Sequence, residues 1–351
     1  MADADIIAEK VELAINGKLY AGWTEVSVTR AIDAMCGAFR LSLSSKDDAA
    51  GQLLVIAPDD RCQLKIGGEI VIDGWVDAVS PAIDGESHGI TVEGRDKTGD
   101  LADCSAIHKP GSWRNVTLEV IASALTKPFG VTVTAKASTG AAIRKFAIQQ
   151  GETVADAIGR LLRFRGLIAV PTASGDLEIT TPDAGAPVAT LELGINIKSA
   201  EGRADHRERY SDYVVKGQAH GDDERHGKTV SQIKGEAKDS GVRRYRPLLL
   251  VAEEQSDGAS AGARAKFEAG VRAGRARGAQ IKVLGWRVAP GGALWRPNSR
   301  VRVRCAEIAM ADEVMLVAAV TFSKSDGEGT IATLSIAPPG AFAQLAEKEP
   351  K

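Results

Sequence analysis

The stretch Cys62-Gln63-Leu64-Lys65-Ile66-Gly67-Gly68-Glu69-Ile70-Val71-Ile72-Asp73-Gly74-Trp75-Val76-Asp77-Ala78-Val79-Ser80 decides the fold. Cys62, Leu64 and Ile66 alternate with polar residues, which is the period of a half-buried strand. Gly67-Gly68 is a hairpin signal, because both glycines adopt turn geometries that other residues resist. The long run from Glu69 to Ser80 is a second strand. The acidic turn Asp84-Gly85-Glu86 then leads into a third, Ile90 to Glu93. Short strand, long strand and closing strand make an antiparallel meander.

The same punctuation extends towards the N-terminus. Val11, Leu13 and Ile15 alternate before Asn16-Gly17, and Val26 and Val28 and then Phe39, Leu41 and Leu43 continue the pattern. Several short strands separated by tight turns predict a small antiparallel barrel or sandwich over residues 1–99. After Gly94 the period changes to that of helices. Thr117 caps a helix carrying Leu118, Ile121, Ala122 and Leu125, which Pro128 stops. Thr153 and Asp156 form an acidic variant of the capping box, ahead of Val154, Ala157, Ile158, Leu161 and Leu162. A hairpin follows, Leu167 to Val170 and Leu177 to Thr180 around Ser174-Gly175-Asp176. Residues 100–187 therefore read as an α+β module whose end, Pro182 to Pro187, is a linker.

Strands return over residues 188–338: Leu191 to Ile197, Asp212 to Gln218, Tyr245 to Val251, Gln280 to Val288, Val301 to Cys305, Glu313 to Phe322 and Thr330 to Ile336. An insertion at about 219–279 interrupts them. It holds a polar excursion over 219–241 and an Ala-rich helix over 259–277. The order of the first meander recurs here: Val301 to Cys305, Val314 to Phe322, the turn Asp326-Gly327-Glu328-Gly329, and Ile331 to Ile336. The expected class is mainly β, with two tube-like antiparallel barrels and an α+β module. Residues 339–351 form a tail, expected to be disordered from Glu347.

Composition narrows the function. The 351 residues carry 44 Lys and Arg against 46 Asp and Glu, a net charge of −2, which disfavours nucleic acid as the main partner. No run approaches the roughly 20 apolar residues of a membrane helix, and Met1 to Lys10 has no signal-peptide pattern. Cys36, Cys62, Cys104 and Cys305 form no CxxC and are expected to be free thiols. His206, His220 and His226, among Asp205, Asp212, Asp222, Asp223 and Glu224, fit no ligand spacing. Gly217 to Gly221 lacks the Lys-Ser/Thr ending of a phosphate loop, and no GxSxG elbow occurs. Asp96 and Asp100 read as partners in local salt bridges and turns rather than an acid–base pair. The basic stretch Arg264 to Lys282, with Arg243, Arg244, Tyr245 and Arg246, has the charge of a nucleic-acid patch, but in a slightly acidic chain it reads rather as a helix face that is solvated or docked on an acidic neighbour. No catalytic residue, metal or cofactor is expected.

Three segments resemble the Mu-like baseplate hub family of contractile phage tails. They are Val11 to Gly17 with Tyr20-Ala21-Gly22-Trp23, Asp73-Gly74-Trp75-Val76-Asp77, and the run Val92 to Ser105. Val283-Leu284-Gly285-Trp286-Arg287, Trp295 and Asn298 resemble the family's late pattern. The resemblance spans about residues 10–338. It implies a homotrimer in the virion baseplate, assembled in the host cytoplasm, that joins a sixfold tail tube to a threefold central spike, with other baseplate proteins as neighbours. It also implies kinship with the hub module of type VI secretion spike proteins. Interface carriers are expected among Trp23, Trp75, Arg95, Trp286, Arg287 and Trp295, because Trp and Arg dominate interface energetics. The competing readings are a hub-associated cell-wall hydrolase and a single-strand nucleic-acid binder with OB-like barrels. The first lacks chain for a catalytic domain; the second lacks basic, aromatic strand faces.

Overall fold

The computed structural model describes residues 9–45, 56–83, 88–217, 233–251 and 258–346. The turn at 84–87, the stretch 218–232 with His220 and His226, and the tail from Glu347 lie outside the described residues. The N-terminal strands are β1 (Val11–Ile15), β2 (Lys18–Tyr20), β3 (Glu25–Ala31), β4 (Ala38–Ser45), β5 (Arg61–Ile66), β6 (Glu69–Ile83) and β7 (His88–Asp96). The module contains α1 (Gly99–Asp103), β8 (Ser112–Val116), α2 (Leu118–Thr126), β9 (Val133–Ala135), β10 (Ile143–Ala147), α3 (Val154–Arg163), β11 (Ile168–Pro171) and β12 (Leu177–Thr180). Then follow β13 (Ala189–Glu192), β14 (Ile197–Ala204), β15 (Asp212–Gly217), β16 (Ile233–Lys238), β17 (Pro247–Val251), α4 (Gly258–Arg275), β18 (Arg277–Leu284), β19 (Arg300–Cys305), β20 (Met310–Ser325) and β21 (Gly329–Ala337).

The mainly-β class with an α+β module holds. The strands of the two expected tube-like units join edge to edge in one 13-stranded sheet, in the order β14-β18-β21-β20-β3-β4-β7-β6-β5-β1-β2, with β19 and β13 branching from β20. The joint is β3, which pairs with β4 on one side and with β20 on the other. One continuous hydrophobic core runs under both halves, from Leu13, Leu41 and Leu64 to Val301, Val320 and Leu334.

The two meanders match strand for strand. In β5, Cys62, Leu64 and Ile66 face the core; in β19, Val301, Val303 and Cys305 do. The register of β6 on β7 slips by one residue between Val76 and Ala78, and that of β20 on β21 slips between Val317 and Ala319. A bulge at the same place bends both long strands alike. The side chains differ because volume is exchanged across the ladder. Phe39 of β4 lies opposite Gly94 of β7, whereas at the matching place Ala279 of β18 lies opposite Ile336 of β21. Large-with-small becomes small-with-large, so the packing is kept while the identity is lost.

The module has its own core, built on Leu118, Ile121, Ile158, Leu161, Leu177 and Ile179. The capping box of α3 is present: Thr153 Oγ1 accepts from the Asp156 amide at 3.1 Å, and Asp156 accepts from the Thr153 amide at 3.3 Å. A third small core forms where α4 covers β15, β16 and β17 around Tyr213, Val215, Ala261 and Ala265. Its location explains the alanines: a Cβ on Gly235 of β16 would stand 2.1 Å from the Ala261 carbonyl carbon. The helix thus rests directly on the strand backbone, and only small residues fit. Within the expected excursion at 219–241, residues Ile233–Lys238 form β16 rather than loop. Of the expected strand Leu191 to Ile197, Leu191 and Glu192 end β13 and Ile197 begins β14, with a turn at 193–196 between them in which Gly194 stands in the left-handed region at φ 83°.

Candidate functional site

The run Val92 to Ser105 closes the first meander and then fastens the module to it. Arg95 donates to Asp77 (Nε–Oδ2, 2.8 Å) and to Asp103 (Nη2–Oδ2, 2.8 Å), tying β7 to β6 and to α1. These two carboxylates hold the guanidinium pKa above its ordinary value, and the guanidinium lowers that of Asp103. Asp96 is buried and accepts from the Gly37 amide at 2.6 Å and from the Thr98 amide and hydroxyl. Burial pushes its carboxyl above the usual range against those donors. Lys97 reaches the module at the Gly130 carbonyl and Asp176, each at 3.2 Å. Arg30 of β3, also buried, donates to the Pro171 carbonyl at 2.9 Å. Asp96 therefore terminates a strand and orients a junction, and Asp100 falls in the first turn of α1.

The six expected interface carriers divide in two. Trp23, Trp286 and Trp295 are 4%, 1% and 3% exposed, and all three belong to the shared core. A side chain already enclosed by its own chain has no surface to give a partner, so the expectation for these three is corrected to a core role. Trp286 donates its Nε1 to the Ile331 carbonyl at 2.9 Å and meets Phe322 edge-on at 6.1 Å. Trp75 is half-buried, with the Arg61 guanidinium 5.2 Å from its ring centre. Arg287 joins the halves: it pairs with Glu9 at the N-terminal end, with Glu69 at 2.5 Å, and donates to the Gly292 carbonyl at 2.7 Å. Both carboxylates raise its pKa.

The basic stretch is largely neutralised within the chain. Arg264 and Arg272 both pair with Glu268, Arg277 pairs with Glu313 at 2.7 Å and Lys282 with Glu328 at 3.2 Å. Arg246 and Arg272 also stand near the Tyr210 ring. A face whose charges are already paired is a poor phosphate ladder. Cys36, Cys62, Cys104 and Cys305 are free, and burial pushes the Cys62 thiol up to about 12. Among the described residues no group of three or more His, Cys, Asp or Glu side chains is placed to hold a metal ion. No described helix is long and apolar enough to cross a membrane.

Two strand edges are not foreseeable from the sequence. On one end of the sheet, the only strand that pairs with β14 among the described residues is β18, and Glu201 to Ala204 are exposed. Inside the first meander, β5 covers β6 only as far as Trp75. Among the described residues no strand covers that side of Ala78 to Ile83, and Ile83 is 77% exposed. Open edges of this kind are templates for pairing with another chain.

A repeated meander on one shared core, with strand edges left open among the described residues, is the architecture of a structural assembly protein. Four family models match along the chain. They are the Mu phage baseplate assembly protein GpP-like N-terminal domain (residues 10–96) and the second domain of baseplate hub protein gp44-like proteins (98–181). The third domain of tail protein NMB1110-like proteins (209–266) and the fourth domain of GpP (257–345) follow. Baseplate hub protein gp44 of Escherichia phage Mu is 35% identical over 98% of this chain and 92% of its own length. The 43 kDa tail protein of prophage MuSo2 from Shewanella oneidensis superposes with a TM-score of 0.85 at 36% identity, over 96% of this chain and all of that one. The E. coli c3393 protein, a type VI secretion component, shares the fold at a TM-score of 0.59 and 12% identity, over 97% of this chain and 80% of its own. The chain belongs to the Mu-like baseplate hub family, and it is a structural protein of the phage tail baseplate.

Proposed function

We propose that this chain is a homotrimeric hub joining a sixfold tail tube to a threefold central spike, with no catalytic activity of its own. The observation that carries this reading is the doubled meander, joined edge to edge through β3 within one chain. A sixfold partner offers six similar surfaces. A trimer meets all of them only if each chain supplies two similar faces, and this chain has two. Binding then rests on buried apolar surface and strand complementarity. Trp75, Arg95 and Arg287 remain the candidates for contacts beyond the chain, since each keeps part of its side chain exposed.

Static light scattering tests the assembly. The expected mass is three times 36.9 kDa at micromolar concentration and physiological salt, with more than ~2,000 Å² buried in total, as in obligate interfaces. A mass of one chain under those conditions would overturn the reading. The hub also requires no metal. Dialysis against EDTA is expected to leave both the mass and the melting temperature unchanged; a melting point lowered by chelation and restored by one stoichiometric metal would refute this.

A further inference from the structure

We infer that the free edge of β17 is a docking site for an extended segment of another protein, apolar at alternate residues and carrying carboxylates at both ends. The site belongs to the insertion rather than to the doubled meander, and it does not depend on the number of copies in the assembly.

The carrying observation is a contrast within one three-stranded sheet, β16-β15-β17. Helix α4 covers one face. On the other, Glu236, Val214 and Leu249 stand side by side, and so do Lys234, Lys216 and Val251. Strand β16 forms one edge and is guarded by Lys234 and Lys238, both exposed. Strand β17 forms the other, and its five residues Pro247-Leu248-Leu249-Leu250-Val251 carry no charge. Leu248 and Leu250 turn to α4 and join the small core around Tyr213. Leu249 and Val251 turn to the opposite face and are 56% and 75% exposed, and Tyr245, just ahead of the strand, is 82% exposed. A bare apolar edge invites uncontrolled pairing. A sheet that guards one edge and leaves the other apolar keeps the second for a partner.

The backbone of that edge is set for a strand. The Arg246 carbonyl accepts from the Ser211 amide, and the Arg246 amide donates to the Ser211 hydroxyl, each at 2.8 Å, so Arg246 faces β15. Strand alternation turns Leu248 and Leu250 to β15 as well, and sends the main-chain groups of Pro247, Leu249 and Val251 to the open side. Proline is tolerated where its nitrogen faces such an edge. The amides of Leu249 and Val251 and the carbonyls beside them then form a row that an extended chain can match. Among the described residues no strand pairs with that side.

Charge selects the occupant. Arg243 and Arg244 are exposed just before the strand, and Lys216 lies beside Val251 at its far end. None of the three has a carboxylate partner among the described residues, whereas Arg264, Arg272 and Arg277 are each paired with a glutamate. Cations at both ends of an apolar strip fit carboxylates at both ends of the incoming segment. Nucleic acid would supply the charge, but not the alternating N–H and C=O groups that this edge can pair with.

The probe is a fluorescently labelled peptide, Glu-Val-Thr-Val-Thr-Val-Glu, titrated with the full chain and followed by anisotropy. Saturable binding is expected, with slower hydrogen exchange at the Leu249 and Val251 amides. The same peptide with lysine at both ends should bind about tenfold more weakly or worse. Leu249→Pro removes an outward donor without touching the bonds to β15, and Arg243→Glu with Arg244→Glu reverses the charge on exposed positions. Each is expected to weaken binding about tenfold or more, with circular dichroism unchanged. Should Leu249→Pro fail to fold, the charge reversal alone decides. No saturable binding, or binding that neither variant changes, overturns the assignment. So does slow exchange at the two amides in the unmixed chain, which would mean that this chain covers its own edge. A single-stranded oligonucleotide that binds more tightly than the peptide through Arg243 and Arg244 would make the face a nucleic-acid surface instead. A lower assembled mass for Leu249→Pro would make the occupant another copy, and the proposal would fail there too.

Discussion

Trp286→Ala is expected to lower the stability of the folded chain by about 3–5 kcal/mol, the range for truncating a buried aromatic. The ring is 1% exposed, packs edge-on against Phe322, and lies in the core shared by both meanders. Its Nε1 bonds the Ile331 carbonyl at 2.9 Å, so truncation both opens a cavity and removes a hydrogen bond from that carbonyl, which the Ser323 hydroxyl also reaches at 3.3 Å. Trp286→Phe keeps most of the volume and loses the donor, and should cost about 1–3 kcal/mol. The test is urea unfolding followed by tryptophan fluorescence and circular dichroism. A loss below about 1 kcal/mol for Trp286→Ala would show that the ring does not anchor this core. Because β18, β20 and β21 all surround it, the larger loss should appear in a single cooperative transition.

Much of this architecture is legible in the residues, for identifiable reasons. The alternation Cys62-Leu64-Ile66 and its echo Val301-Val303-Cys305 mark the faces that reach the core, and the burial is as the period requires. The Thr153–Asp156 box is a local arrangement, so sequence suffices to see it. Strand β14 is a different matter. Its sequence Ile197-Lys198-Ser199-Ala200-Glu201-Gly202-Arg203-Ala204 is mostly exposed, so it carries no apolar period. Its strand character comes from β18 beside it, a partner far along the chain. Strands β8 and β10 escape a sequence reading for the same reason: exposed residues dominate both, and each is defined by the other.

The tryptophans show a second limit. Trp counts equally as core and contact by composition, and only the neighbours separate the two. Gly22-Trp23 and Gly285-Trp286 look like interface motifs on paper, yet each glycine sits at a positive φ that turns the strand so that the ring can enter the core. Arg95 and Arg287 stand out in the sequence beside the family's motifs. Their visible work is within the chain, binding β7 to α1 and the N-terminus to the second half. The open edges of β6 and β14 could not be read at all, because an edge is defined by the strand that is missing beside it.

Gly74→Val is expected to cost more than about 3 kcal/mol and to leave the chain largely insoluble, beyond the usual range for overpacking. Gly74 sits in β6 opposite Cys62 of β5 and Asp96 of β7. A Cβ there would stand 1.9 Å from the Arg95 carbonyl oxygen and 2.5 Å from the Asp96 Cα. Both are backbone atoms, so no rotamer change relieves the contact; β7 itself would have to move. That movement would pull Asp96 from the Gly37 amide and Arg95 from Asp77 and Asp103, undoing the junction with the module. The matching position in the second meander is Met315, 1% exposed, so the repeat as such does not demand glycine. What demands it is the extra length of β7, which runs on to Asp96 before the module begins. Gly327→Ala serves as the control, since a Cβ there meets nothing within 4 Å, and it should change stability by less than about 0.5 kcal/mol. Soluble expression and urea unfolding of the two variants decide the matter. If Gly74→Val folds with the stability of the Gly327→Ala control, β7 is not held against β6 at this point, and the close approach is not what selects glycine in the Asp73-Gly74-Trp75 run.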